Sequence, residues 1–170
     1  EEIVSTIVGR VEADQLNSLK TKRPENMVAY DLVLQGLEYA KRGSVFKENT
    51  VNAIRLFEKA IDAEPSYARA HAWRACSLSN LADWQEAPDP KLSMEALKSI
   101  NKAMELDPSE PEVHRIMGSI KLWRERDYEI AKYHFEKAKE LCPSDIFFIS
   151  RYANLLIYLG NFEKALDELN

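Results

Sequence analysis

AIRLFEKAIDAEP, residues 53–65, has a skeleton that returns along the chain. Its fixed points are Ala53, Phe57, Ala60 and Pro65. They reappear as Ala96, Ile100, Ala103 and Pro108, and again as Ala131, Phe135, Ala138 and Pro143, which follows Cys142. A fourth copy starts at Ala165 and Leu169. The leading alanines are 43, 35 and 34 residues apart, so the unit settles to about 34 residues, a period that means a stacked array. Small, large and small residues at spacings of four and three share one helix face, and the proline closes the helix. Alanines on that face permit close approach of a neighbour, and the bulky residue fills the remaining space.

Upstream of each copy lies a second amphipathic segment with a small residue in the matching place: Gly36, Ala75, Gly118 and Ala153. Each unit is therefore predicted to be a helical hairpin. The expected architecture is all-α, with seven complete repeat helices and the start of an eighth. An extra amphipathic helix over residues 2–22, apolar at Ile3, Val4, Ile7, Val8, Val11 and Leu19, stops before Pro24. The domains are read as 1–25, a helix and linker, and 26–170, an array divided at about 27–65, 66–108, 109–143 and 144–170.

Hairpins of this period, with Ala-x-x-x-Phe-x-x-Ala in the second helix and a closing proline, resemble tetratricopeptide repeats. The last unit fits best, at Leu156, Leu159, Gly160, Asn161, Phe162 and Ala165. Departures are His71 and His114, which stand where the family has Trp, and insertions in the first two hairpins. The resemblance implies a superhelix whose first helices line a concave, protein-binding face. Residues 19–36, LKTKRPENMVAYDLVLQG, are similar to the lead-in of repeat tails in bacterial class III adenylate or guanylate cyclases and related transcriptional regulators. That similarity implies a cytoplasmic bacterial signalling protein with an enzymatic or DNA-binding part before Glu1. A chain that opens without Met and stops inside a repeat helix is in turn expected to be a piece of a longer protein.

Composition agrees with a helical protein. Of the 170 residues, 45% are hydrophobic and 30% charged, with five glycines, enough for a packed core and against disorder. Cys76 and Cys142 form no CxxC motif and read as reduced thiols in helical repeat positions. No apolar run reaches membrane-spanning length, and a net charge of −5 gives no general drive toward nucleic acid or anionic lipid.

Two connectors exceed a minimal turn: one over 42–50, where Gly43 and Ser44 break the helix, and one over 82–93, which carries Trp84, Pro88 and Pro90. Ser109 and Glu112, three apart, predict a capping box at the third hairpin.

A search for chemistry finds no P-loop, GxSxG, HExxH or GxGxxG motif. His71, His114 and His134 do not stand at metal-ligand spacing, and His71 and His114 read as packing residues. Glu58, Glu105, Glu136 and Asp167 read as partners of nearby lysines, as in Glu136 with Lys139. No catalytic residue, metal or cofactor is expected.

The functional expectation is a non-catalytic interaction module. Its groove candidates are Arg69, Trp73 and Asn80 with Cys76; Arg115 and Trp123 with Ile116 and Ser119; Arg151, Asn154 and Tyr158; and, in the first repeat, Tyr30, Leu34 and Leu37. Trp, Tyr and Arg anchor interfaces because they combine area with directed hydrogen bonds. Trp73, Arg115, Trp123, Arg151 and Tyr158 are expected to form one inward strip, with an acidic-aromatic peptide as its guest. Trp73 and Trp123 also admit a core reading. The Lys and Asn clamp by which some family members bind chaperone C-termini is not matched: Ala72, Cys76, Glu112 and Ile116 occupy its places, and only Arg151 is basic. Partners are therefore a protein or peptide, a neighbouring domain, or a second copy through the helix at 2–22, with no membrane and no nucleic acid bound by these residues. The alternative is a regulatory or dimerising tail of a cyclase or DNA-binding regulator.

Overall fold

The computed structural model describes residues 26–43, 46–84, 89–143 and 145–169, and no strand occurs among them. The helices are α1 (Met27–Arg42), α2 (Lys47–Ala63), α3 (Ala68–Ala82), α4 (Pro90–Leu106), α5 (Pro111–Ile120), α6 (Tyr128–Leu141), α7 (Ile146–Tyr158) and α8 (Phe162–Leu169). A π-helical turn, Lys121–Glu125, continues α5. They pair as four antiparallel hairpins stacked in chain order. The extra helix expected over 2–22, and residues 85–88 of the proline-containing connector, lie outside the described residues.

The repeat skeleton does what its periodicity implies. Ala53, Ala60, Ala103, Ala131 and Ala138 are fully buried, as are Phe57, Ile100 and Phe135. Short polar side chains start several helices by accepting from free backbone N–H groups: Asn26 from Val28 (2.9 Å), Asp89 from Lys91 (2.8 Å) and Asp127 from Ile130 (3.1 Å).

Three local expectations are corrected. The first connector is shorter than 42–50, because α2 already begins at Lys47 and Thr50 is buried in it, donating its hydroxyl to the Gly43 carbonyl at 3.2 Å. Pro90 belongs to α4, where a missing N–H costs nothing at the first turn. The Ser109 capping box does not form. Both the amide and the hydroxyl of Ser109 bind Asp107 Oδ1, at 2.9 and 2.6 Å, and Glu110 caps α5 instead, weakly, at 3.4 Å from the Glu112 amide.

Polar stitches tie the stack together at repeated intervals. The two histidines in the Trp slot do more than pack: His71 Nε2 lies 3.0 Å from the Pro65 carbonyl oxygen and His114 Nε2 lies 2.9 Å from that of Pro108. Each imidazole thus binds the turn that follows the preceding helix, just past its C-cap. A second device recurs at a separation of 16 residues. Arg74 donates to Glu58 (3.0 Å), and the Tyr152 hydroxyl donates to Glu136 (2.8 Å). Glu136 therefore serves the inter-repeat contact rather than Lys139, which pairs with Glu168 across α6 and α8.

The third hairpin carries one residue more than the fourth between its small residues, since Gly118 and Ala131 are 13 apart while Ala153 and Ala165 are 12 apart. The π turn absorbs the excess. It ends at Arg126, which adopts the left-handed conformation (φ 54°), 34 residues before Gly160 (φ 75°) in the same place of the next repeat. The two ends differ in kind, because glycine adopts this conformation without steric cost and arginine does not.

Candidate functional site

The first helices of the hairpins, α1, α3, α5 and α7, lie side by side in the stack. The residues expected on their inner face separate into a buried centre and an exposed end.

The centre is built on Trp73. Its ring stacks on Phe57 of the preceding hairpin, with centroids 6.4 Å apart, and the Arg115 guanidinium of the following hairpin lies over it at 4.9 Å. Trp73 also packs against the apolar cores of both the first and the second hairpin. It is thus a wedge that joins three repeats, the core reading of Trp73 rather than the groove reading alone. Arg115 is only 7% exposed, and its Nε donates to Glu112 at 2.7 Å one helical turn back. It is not a free cation awaiting a carboxylate, so the argument for an acidic guest loses its central charge.

Around this pair, Ile116 is core rather than groove, and Ser119 turns its hydroxyl onto the Arg115 carbonyl at 3.0 Å. The Cys76 thiol is half-buried by area, and burial pushes it above its ordinary range, with Arg115 and Arg151 opposing. That makes it a poor nucleophile. Cys142 is the C-cap of α6 rather than part of a helix. Burial likewise pushes the Glu110 carboxyl up, against the pull of Arg69. Three buried donors have no hydrogen-bond partner among the described residues: Arg69 Nε, Trp73 Nε1 and Arg115 Nη2.

The exposed end is made by Trp123 and Tyr158, 47% and 57% exposed, whose rings meet edge to face at 5.1 Å. Trp123 stands in the π turn. Its neighbour Arg124 reaches back to the second hairpin, donating to the Ser79 carbonyl and, at 3.1 Å, to the Ser79 hydroxyl, while it pairs with Asp83 at 2.7 Å. The turn is thereby clamped to α3. Arg151 and Asn154 are exposed on α7 within two turns of Tyr158, and Asn80 is exposed near the end of α3. In the first repeat Leu34 is exposed, whereas Leu37 packs on the core.

The strip of five is therefore two pairs, Trp73 with Arg115 and Trp123 with Tyr158, with Arg151 exposed apart from both. Sequence reasoning did not find Ser79, Asp83 and Arg124, or the pairing of Glu112 with Arg115, whose contacts hold those pairs; the one-residue excess of the third hairpin was the available signal for the π turn. Among the described residues, no three His, Cys, Asp or Glu side chains are grouped to hold a metal, and no helix is long and apolar enough to cross a membrane.

Known structures of the same shape are tetratricopeptide-repeat domains. The Pseudomonas aeruginosa protein PilF superposes with a TM-score of 0.62 at 24% identity, over 84% of this chain and 61% of that one. The first repeat domain of Spaghetti (RPAP3), bound to the HSP90 peptide SRMEEVD, gives 0.57 at 22%, over 80% and 96%. The TPR2B domain of yeast Sti1, in complex with an Hsp70 peptide, gives 0.54 at 22%, over 84% and 99%. The chain has the tetratricopeptide-repeat fold. No family model matches it, and no match was found among curated proteins.

Proposed function

We propose that this chain is a non-catalytic interaction module that holds an extended peptide or protein segment along the inner faces of α3, α5 and α7. The observation that carries the reading is the exposed Trp123–Tyr158 pair, two large aromatic rings left in water on adjacent first helices, beside Arg151 and Asn154. Aromatic and arginine side chains arranged this way give contact area at low entropic cost. The peptide complexes of the Spaghetti and Sti1 domains support the use of such a stack for peptide capture. With a net charge of −5, a protein partner is favoured over nucleic acid or anionic lipid. The regulatory-tail reading draws on another surface, the α8 face with Phe162, Leu166 and Leu169 exposed, which a neighbouring domain or second copy would cover.

Panning a random peptide library against the chain tests the main reading. Selected peptides should shield Trp123 and Tyr158 from hydroxyl-radical labelling and lose roughly tenfold or more in affinity when Trp123 and Arg151 are both changed to Ala, with helical circular dichroism unchanged. Protection of α2, α4 and α6 instead would place the working surface on the other layer and defeat the proposal.

A further inference from the structure

The groove's chemistry is lopsided. At its centre the Arg115 guanidinium is already neutralised by Glu112 at 2.7 Å, so an incoming carboxylate would face a carboxylate as well as a cation. Yet Arg115 Nη2 and the Trp73 indole N–H are buried donors with no acceptor in the described chain. What the centre lacks is neutral acceptors.

Resting on the groove reading above, we propose that the segment held there is proline-rich and in the polyproline II conformation, and not an acidic carboxyl-terminal tail. Proline has no backbone N–H, so a run of prolines offers carbonyl acceptors with no donors, and in polyproline II those carbonyls make no internal hydrogen bonds. That is the complement of a centre with orphan donors whose buried guanidinium is already paired with Glu112. The exposed end fits the same guest. Trp123 and Tyr158, edge to face at 5.1 Å, offer apolar ring surface of the kind that grips proline rings, and the Asn154 amide stands on α7 one turn from Tyr158 to donate to a carbonyl. The spacing matches too. A polyproline II turn of three residues advances about 9 Å, close to the roughly 8–10 Å between packed helices, so equivalent faces of the guest meet α3, α5 and α7 in turn.

The test uses the whole chain, labelled with nitrogen-15, and two probes: an acetylated and amidated nonaproline, and the free-acid peptide SRMEEVD. The indole N–H signals of Trp73 and Trp123 are followed, with Trp84, out on the second connector, as internal control. Nonaproline is expected to shift both signals saturably, with little dependence on salt, and Tyr158→Ala, at an exposed position, to weaken it at least tenfold without altering the fold. SRMEEVD is expected to leave both signals in place. If SRMEEVD moves them and nonaproline does not, the groove stands and the neutral-acceptor inference falls. If neither moves them, the proline inference falls, and the panning experiment decides the groove separately.

Discussion

Gly118 shows how closely the two layers fit. A Cβ built there would stand 2.8 Å from Phe135 Cε1, and one on Gly36 would stand 2.5 Å from Phe57 Cε1. Where the first helix carries Ala instead, at Ala75, the second offers the smaller Ile100. Small residue and large residue are thus chosen as a pair. Gly118→Ala should gain about 1 kcal/mol in helix propensity yet lose more to overpacking, of order 1–3 kcal/mol, for a net loss of stability. In a Phe135→Ile background, which copies the second repeat, the same substitution should become stabilising. Urea titration of the two single variants and the double variant measures the coupling, and equal effects of Gly118→Ala in both backgrounds would refute the pairing.

Between α5 and α6 a further contact is a pair of imidazoles. The Pro108 carbonyl can only accept, so His114 Nε2 carries the proton. His114 Nδ1 is then left to accept from His134 Nδ1–H at 3.0 Å. Burial, with His114 and Lys121 nearby, pushes the His134 imidazole down to about 4. A histidine with its pKa depressed by folding stays neutral in the folded state while the unfolded chain takes up a proton near 6.5. Its contribution is therefore complete above pH 6.5 and is lost as pH falls toward 4. The melting temperature should drop across that window, and His134→Gln should flatten the drop. A profile that keeps its full slope in the variant would assign the dependence to other groups, such as His71, whose imidazole burial also pushes down.

Across the stack, Trp73 touches three hairpins, through Phe57, its own core and Arg115. In an array where each repeat contacts only its neighbours, such a wedge carries cooperativity. Trp73→Ala should cost about 3–5 kcal/mol and broaden the denaturant transition, whereas Trp123→Ala, at a mostly exposed site, should stay within about 0.5 kcal/mol. Similar losses for the two variants would mean that the buried centre and the exposed end are not distinct. The far end of the stack shows the same logic from the other side. Phe57, Ile100 and Phe135 are fully buried in their places, while Leu169, in the equivalent place on α8, is 56% exposed because no later helix among the described residues packs on it.

By itself the sequence determined the repeat period, the helical hairpins and which positions face inward. These follow from the spacing of small and large residues, and that spacing acts through helix geometry alone. The two longer connectors and the extra residue of the third hairpin were also present as differences in spacing. Only the tertiary structure decided what each inward residue does. Arg115 and Arg151 read alike in one dimension. One is buried, bound to Glu112 and laid over Trp73, and the other is exposed. Trp73 and Trp123 part in the same way. Glu136 turns from Lys139 to Tyr152, and Ser109 turns to Asp107, leaving Glu110 to cap α5. The reason is physical: the face on which a side chain stands is set by its own helix, but its partner, its burial and its charge balance are set by neighbours brought in from other repeats.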